Sequence, residues 1–156
     1  MRPAKGHEAA MPQDDVQFLD TNIFIRYFTG DDPDKGRRAY ALLQRIESGE
    51  LAATTSEGVL LELIFVLSGK RTYNRPRDEI RQKLVDVLGL KGLRFRNKGI
   101  YLRALELFAA NEGRDFVDCL NVAHMEHAGI RTIWTFDKDY NRIKGATFVP
   151  TIVNKP

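Results

Sequence analysis

The sequence holds a single cysteine, Cys119, so no intrachain disulfide can staple it. Its stability has to come from a packed core, and a reducing compartment suits it. Long apolar runs are missing too. The longest, Val59–Leu67, is interrupted by Glu62 and falls well short of the roughly 20 residues a bilayer span requires. Nor does one sign of charge dominate: 24 Lys and Arg stand against 21 Asp and Glu, a formal net charge of +3. So small a surplus permits a polyanionic partner and equally suits an ordinary domain with none. The stretch Met1–Asp15 is polar, carries Pro3, Gly6 and Pro12, and lacks the apolar segment of a signal peptide. It is expected to be a disordered extension or tag remnant, with Met11 as an alternative start. The default address is cytoplasmic, with no membrane partner.

What is present is a globular composition, 43% apolar over 156 residues, which fits one domain over residues 16–156 with one core. No internal repeat, low-complexity tract or linker follows residue 15. Val16–Leu19 reads as a buried strand ending at Asp20-Thr21-Asn22, with a short helix through Phe28. Ala39, Leu42, Leu43 and Ile46 recur at helical spacing between Asp34 and Glu47. Leu51–Thr54 reads as a strand, and Thr55-Ser56-Glu57 caps a helix over 57–68 that stops at Gly69. Pro76 opens another helix. Leu93–Phe95 reads as a strand, Asn97–Asn111 as a helix, and Asp115–Ala128 as the next. Thr132–Thr135 is a strand followed by the acidic loop Asp137-Lys138-Asp139, and Thr147–Val149 a last short strand. Strands alternating with helices predict a parallel α/β sheet covered on both faces.

In such sheets ligands bind beyond the C-terminal ends of the strands, where Asp20 and Asp137 fall. Asp20 is equally a helix N-cap, a role Asn22 could share. Glu62 lies in a helix apolar on nearly all faces. A buried carboxylate there must be protonated, paired with a cation, or lining a polar cavity, unless Gly58, Glu62 and Val66 mark an exposed stripe. Asp115 and Asp118 open the next apolar helix at capping-box spacing. Asp115 is the better cap, and Asp118 projects near the positive end of the helix dipole. His124 and His127 have no zinc-type partner spacing and read as surface or packing residues. Acids from separate segments are what a hard cation such as Mg²⁺ or Mn²⁺ takes.

The segments FLDTNIFIRYF, TTSEGVLLELIFVLSGK, GRDFVDCLNVAHMEHAG and IWTFDKDYNRI resemble those of PIN domains, in that order. They look most like the VapC-type toxins of toxin–antitoxin pairs, over about residues 16–150. The resemblance implies a three-layer α/β/α sandwich with a central, mostly parallel sheet, a divalent metal (Mg²⁺ or Mn²⁺), and cleavage of RNA. It also implies a frequent homodimer and inhibition by a small antitoxin. Asp20, Glu62 and Asp118 match the first three family acids and Asp137 the fourth. Thr21 and Asn22 match the polar residues after the first acid, and Thr135 the small hydroxyl residue near the fourth. Asp115 resembles an accessory acid, and Asp139 is a substitute or helper for Asp137.

An acidic site needs cations beside it to hold RNA. Lys70, Arg71, Arg75 and Arg77 form one expected phosphate track, and Arg94, Arg96 and Lys98 another; each alone reads equally as a solvated charge. Ile23–Phe28 is richer in apolar side chains than one core face needs, which fits core packing first and a dimer or antitoxin surface second. Two other classes compete. A phosphoryl-transfer domain also places an Asp after its first strand, although the paired acids of a receiver and the Asp-x-Asp start of many phosphatases are missing. A non-catalytic PIN-fold binding module, or an RNA-processing nuclease without an antitoxin, would share the fold.

Overall fold

The computed structural model describes residues 15–154. The expectation for the N-terminal extension lies outside these residues except at Asp15. Elements run β1 (Val16–Phe18), α1 (Thr21–Thr29), α2 (Pro33–Glu47), β2 (Ala52–Thr54), α3 (Glu57–Ser68), α4 (Arg77–Leu88), β3 (Leu93–Arg94), α5 (Lys98–Ala110), α6 (Phe116–Ala128), β4 (Thr132–Trp134), a 3-10 helix (Lys138–Arg142) and β5 (Thr151–Val153). A pair of helices separates each of the first three strands from the next. Such long crossovers let neighbouring strands run parallel.

The strands are all parallel, as expected of this α/β sandwich. They form a three-stranded sheet ordered β1-β2-β3 and a two-stranded sheet β4-β5. In the first, Val16 faces Ala52 and Phe18 faces Thr54; in the second, Thr132 faces Thr151. The strand β1 is therefore an edge, and this corrects its expected burial: Phe18 is 61% exposed and only Leu19, just beyond the strand, is buried. The last strand also lies later than Thr147–Val149. The Thr147 amide donates to the Glu126 carboxylate at 2.8 Å, which takes that residue out of any ladder. Pairing with β4 starts after Pro150, which has no amide hydrogen to offer.

Local chemistry accounts for the helix ends. Ser56 accepts the Val59 amide at 3.2 Å and starts α3. Asp32 accepts the Lys35 amide and precedes Pro33 in the first turn of α2. Gly129 adopts φ 68 to close α6, a conformation that costs glycine little. At Gly92 a Cβ would run into the carbonyl oxygens of Ile46 and Leu51, so glycine is what lets β3 approach the end of α2. The core is continuous. Phe24 and Phe28 of α1 enter it together with Leu60, Leu63, Ile64 and Leu67 of α3, and Tyr101, Leu105 and Phe108 of α5. Core packing thus takes two of the aromatics of Ile23–Phe28. Each such side chain contributes about 1.5–3 kcal/mol through burial.

One basic side chain belongs to this framework. Arg77 is the first residue of α4, not part of a loop, and its Nη1 lies 3.1, 2.7 and 2.6 Å from the carbonyl oxygens of Phe108, Asn111 and Arg114. Its guanidinium also stacks 4.0 Å from the centre of the Phe108 ring. The side chain caps the carbonyl end of α5, which spends its Nη1 on the fold, and it also lines a cavity with Asp115 and Asp118.

Candidate active site

Asp20 follows β1 at the point where the chain turns into α1. The Leu19 amide extends the ladder by one bond to Thr54, 2.9 Å away, and the buried Thr55 hydroxyl donates to the Leu19 carbonyl at 2.8 Å. These two bonds hold the turn against the end of β2. Asp20 occupies the N-cap position, yet its side chain makes no capping bond. Its carboxylate is exposed and meets the Asn22 amide at 3.3 Å. The cap reading of Asp20 therefore holds for position and not for chemistry, and Asn22 lies inside the helix.

Thr21 is buried at 4% exposure and donates its hydroxyl to Glu62 Oε2 at 2.7 Å. That bond joins the start of α1 to the middle of α3. Glu62 itself is exposed, so the argument from a buried carboxylate is corrected. On α3, Val59, Leu60, Leu63, Ile64 and Leu67 face the core, while Gly58, Glu62 and Phe65 share the open face, Phe65 at 75% exposure.

A second group forms where α6 meets the 3-10 helix. Arg114, just before α6, places one nitrogen, Nη2, 3.1 Å from Asp118 Oδ2 and 2.9 Å from Asp137 Oδ2. Tyr140 donates its hydroxyl to Asp118 Oδ1 at 3.0 Å and in turn accepts from Asn121 at 3.0 Å. The Arg114 guanidinium lies 5.2 Å from the centre of the Tyr140 ring. Asp137 Oδ1 accepts the Asp139 amide at 2.8 Å, and the Asp137 amide donates to Thr135 Oγ1 at 3.0 Å. The Asp139 amide, and then Arg114, hold the Asp137 carboxyl below the usual range. Burial, and after it the Asp118 carboxylate, push the Tyr140 phenol up against the opposing Asn121 bond. Asp139 itself pairs outward with Arg142 at 3.1 Å. Asp115 is exposed, caps nothing with its side chain, and lines a cavity of about 380 Å³ with Asp118, Leu61 and Phe65.

Of the expected carboxylates, Glu62 is tied by Thr21 to the start of the helix that Asp20 precedes, and Asp118 and Asp137 are bridged by Arg114. Among the described residues no three His, Cys, Asp or Glu side chains come close enough to share one ion. Arg114, Tyr140 and Asn121 are residues that sequence reasoning passes over, and Thr55 it reads only as part of a helix cap. Only Arg114 carries a sequence signal, its spacing of four from Asp118.

The basic side chains divide. Arg94 and Arg96 line an open cavity of about 800 Å³ with Phe95, Asn97 and Ser56, at the C-terminal ends of β2 and β3. Among the described residues neither enters an ion pair, and Arg71 enters none either. Lys98 donates to the Leu93 carbonyl at 2.6 Å, and Arg75 lies 3.8 Å from Glu79.

Compared with protein families, residues 18–146 match the PIN domain. The chain belongs to the PIN domain family. PIN domains are generally nucleases, hydrolases that use divalent metals, and the family points to RNA as substrate. No curated protein matches the chain significantly. Membership separates it from receiver domains and phosphatases, and the match contains all four acid positions. The donor chemistry of this PIN domain also suits its family's metals: the acids and their neighbouring hydroxyls offer oxygen alone. Among the described residues no helix is long and apolar enough to cross a membrane.

Proposed function

We propose that this PIN domain is a metal-dependent endoribonuclease, the toxin of a toxin–antitoxin pair, held inactive by a small antitoxin and working as a homodimer in the cytoplasm. The observation that carries the nuclease reading is at Asp20 and Glu62. Asp20 presents a carboxylate past the end of a parallel strand without spending it on the helix cap, and Thr21 ties that turn to Glu62. The toxin reading rests on the order and spacing of the four segments that resemble VapC-type chains.

Asp20 and Glu62 would hold Mg²⁺ or Mn²⁺ directly or through water, with Asp118 and Asp137 completing the cage. Thr21 orients Glu62, Asn22 restrains Asp20, and Thr135 shapes the turn that presents Asp137. When bound, the ion supplies a water of lowered pKa and stabilises charge on the phosphate. In the hydrolysis such a site would support, a water would lose a proton to solvent and add to phosphorus, and the ribose oxygen would leave as its bond breaks, taking a proton from solvent. Arg94 and Arg96 offer phosphate contacts beside the turn, and Phe95 between them offers an apolar face. Arg71 and Arg75 remain candidates for a second track; Asp115 and Asp139 lie at the margin as accessory acids.

The second reading, a binding module without cleavage, draws support from Arg114, which already pairs with both Asp118 and Asp137. Mapping RNA ends after expression of wild type and Asp20→Asn separates the two. New cut sites that need Asp20 and a divalent ion support the nuclease. Undiminished cutting by Asp20→Asn overturns the assignment, and protection without cuts favours the binding module.

A further inference from the structure

We infer that Arg114 is a built-in counter-cation that competes with the divalent ion for Asp118 and Asp137. The inference rests on the metal-dependent reading of this site. It starts from how the four carboxylate oxygens are used. One Arg114 nitrogen donates to Asp137 Oδ2 at 2.9 Å and lies at ion-pair distance, 3.1 Å, from Asp118 Oδ2. Asp118 Oδ1 takes the Tyr140 hydroxyl and Asp137 Oδ1 the Asp139 amide. Three of the four oxygens accept a hydrogen bond, and the fourth, Asp118 Oδ2, faces the same guanidinium charge.

An ion cannot simply be added. Mg²⁺ binds oxygen at about 2.0–2.1 Å and demands near-octahedral geometry. A guanidinium nitrogen already within hydrogen-bond distance of the same oxygens occupies that space, and its positive charge repels the incoming one. Arg114 has to leave both Oδ2 atoms before either ligates. The arginine is held, not fixed. Its Nε is buried with no partner, so the observed pose leaves one donor unsatisfied. Stacking on Tyr140 gives the guanidinium a surface to pivot against. Asp20 and Glu62 differ: among the described residues neither is ion-paired, and both have neutral donors only. Arg114 thus sets the metal affinity of one half of the site and leaves the other half alone.

The test is Mn²⁺ binding to the full chain, read by the EPR signal of free Mn²⁺, for wild type, Arg114→Gln, Arg114→Lys and Glu62→Gln. Thermal unfolding is followed with EDTA and with Mn²⁺. Arg114→Gln should bind Mn²⁺ about 10–100-fold more tightly than wild type, the range expected when groups around a metal site change. It should melt lower than wild type in EDTA and regain the loss in Mn²⁺. Arg114→Lys keeps the charge and should stay near wild type in affinity, which also covers the case in which Gln disturbs folding. If wild type binds Mn²⁺ through Glu62 while Arg114→Gln binds it equally or more weakly, the competition is refuted and the metal-dependent reading survives. If no variant binds Mn²⁺, both fall.

Discussion

Replacing Arg77 by methionine should cost this protein about 3–4 kcal/mol. The guanidinium offers Nη1 to three carbonyl oxygens, those of Phe108, Asn111 and Arg114, but that nitrogen carries two hydrogens. The three contacts therefore amount to about two charge-assisted bonds, each about 1.5–3 kcal/mol. The Arg77 side chain is 16% exposed, so water recovers part of the loss and a net of about 3 kcal/mol remains. Stacking on Phe108 adds about 0.5–1 kcal/mol. The contact with Glu112, 3.6 Å away and 84% exposed on the Glu side, adds almost nothing. Methionine keeps the apolar stem and offers no donor. Urea unfolding should show a lower midpoint at unchanged slope, and the melting temperature should drop by roughly 10 °C. Arg77→Lys should lose about half as much and bind RNA like wild type, since the side chain faces the end of α5. A methionine variant within about 0.5 kcal/mol of wild type would refute the capping role.

Other substitutions test the site and its surroundings. Thr21→Val keeps the buried shape and removes the hydroxyl from Glu62; Mn²⁺ affinity should drop about 10–100-fold with little change in stability, and wild-type affinity in a chain where Glu62→Gln fails would break the link. Reversing Arg94 and Arg96 together should weaken RNA binding and flatten its salt dependence by nearly two units of slope at most; an unchanged slope would remove the groove from the RNA path. Glu126 is held below the ordinary glutamate value by its bond to Arg103, helped by the Thr147 amide. A depressed pKa contributes stability above the ordinary value, near 4.5, and loses it as pH falls through the folded value. Glu126→Gln should therefore be less stable than wild type at pH 7, with the gap closing toward pH 3; a pH-independent gap would show that charge is not the cause. Burial pushes the Cys119 thiol up to about 11, so it should resist a thiol reagent in the native state and react once unfolded.

How far the sequence alone reaches depends on whether a residue's partner is local. The bounds of α3 are legible because Ser56 and Gly69 act within a turn of it. The uncovered face of α3 is not, since Val, Leu, Ile and Phe surround Glu62 and periodicity is silent on which stripe another element covers. Phe65 would have to be polar for the open side to declare itself. The same holds at the C-terminus. Thr147–Val149 and Thr151–Val153 have similar strand propensity, and the choice belongs to Glu126 and β4, residues far away along the chain. Asp20 and Glu62 are legible as acids in the right segments, whereas the Thr21 bond to Glu62 spans 41 residues. Arg114 is the hardest case. Beside Asp115 and Asp118 it reads as one charge in a mixed helix start, and its second partner, Asp137, lies 23 residues on.

The division of the acids into two groups follows from electrostatics. Two like charges about 4 Å apart repel by roughly 4 kcal/mol at the effective dielectric of a protein surface. Four bare carboxylates within one ion's reach would multiply that cost. The chain avoids it in two ways. Asp20 and Glu62 stay exposed, where water screens them, and Thr21 supplies only a neutral donor. Asp118 and Asp137 are less open, with side chains 25% and 39% exposed, and they come together around a cation that the chain provides. A side chain is then the cheapest stand-in for a divalent ion, because its charge arrives with the fold and needs no binding equilibrium. The cost is that the stand-in must move before that half of the proposed site can work.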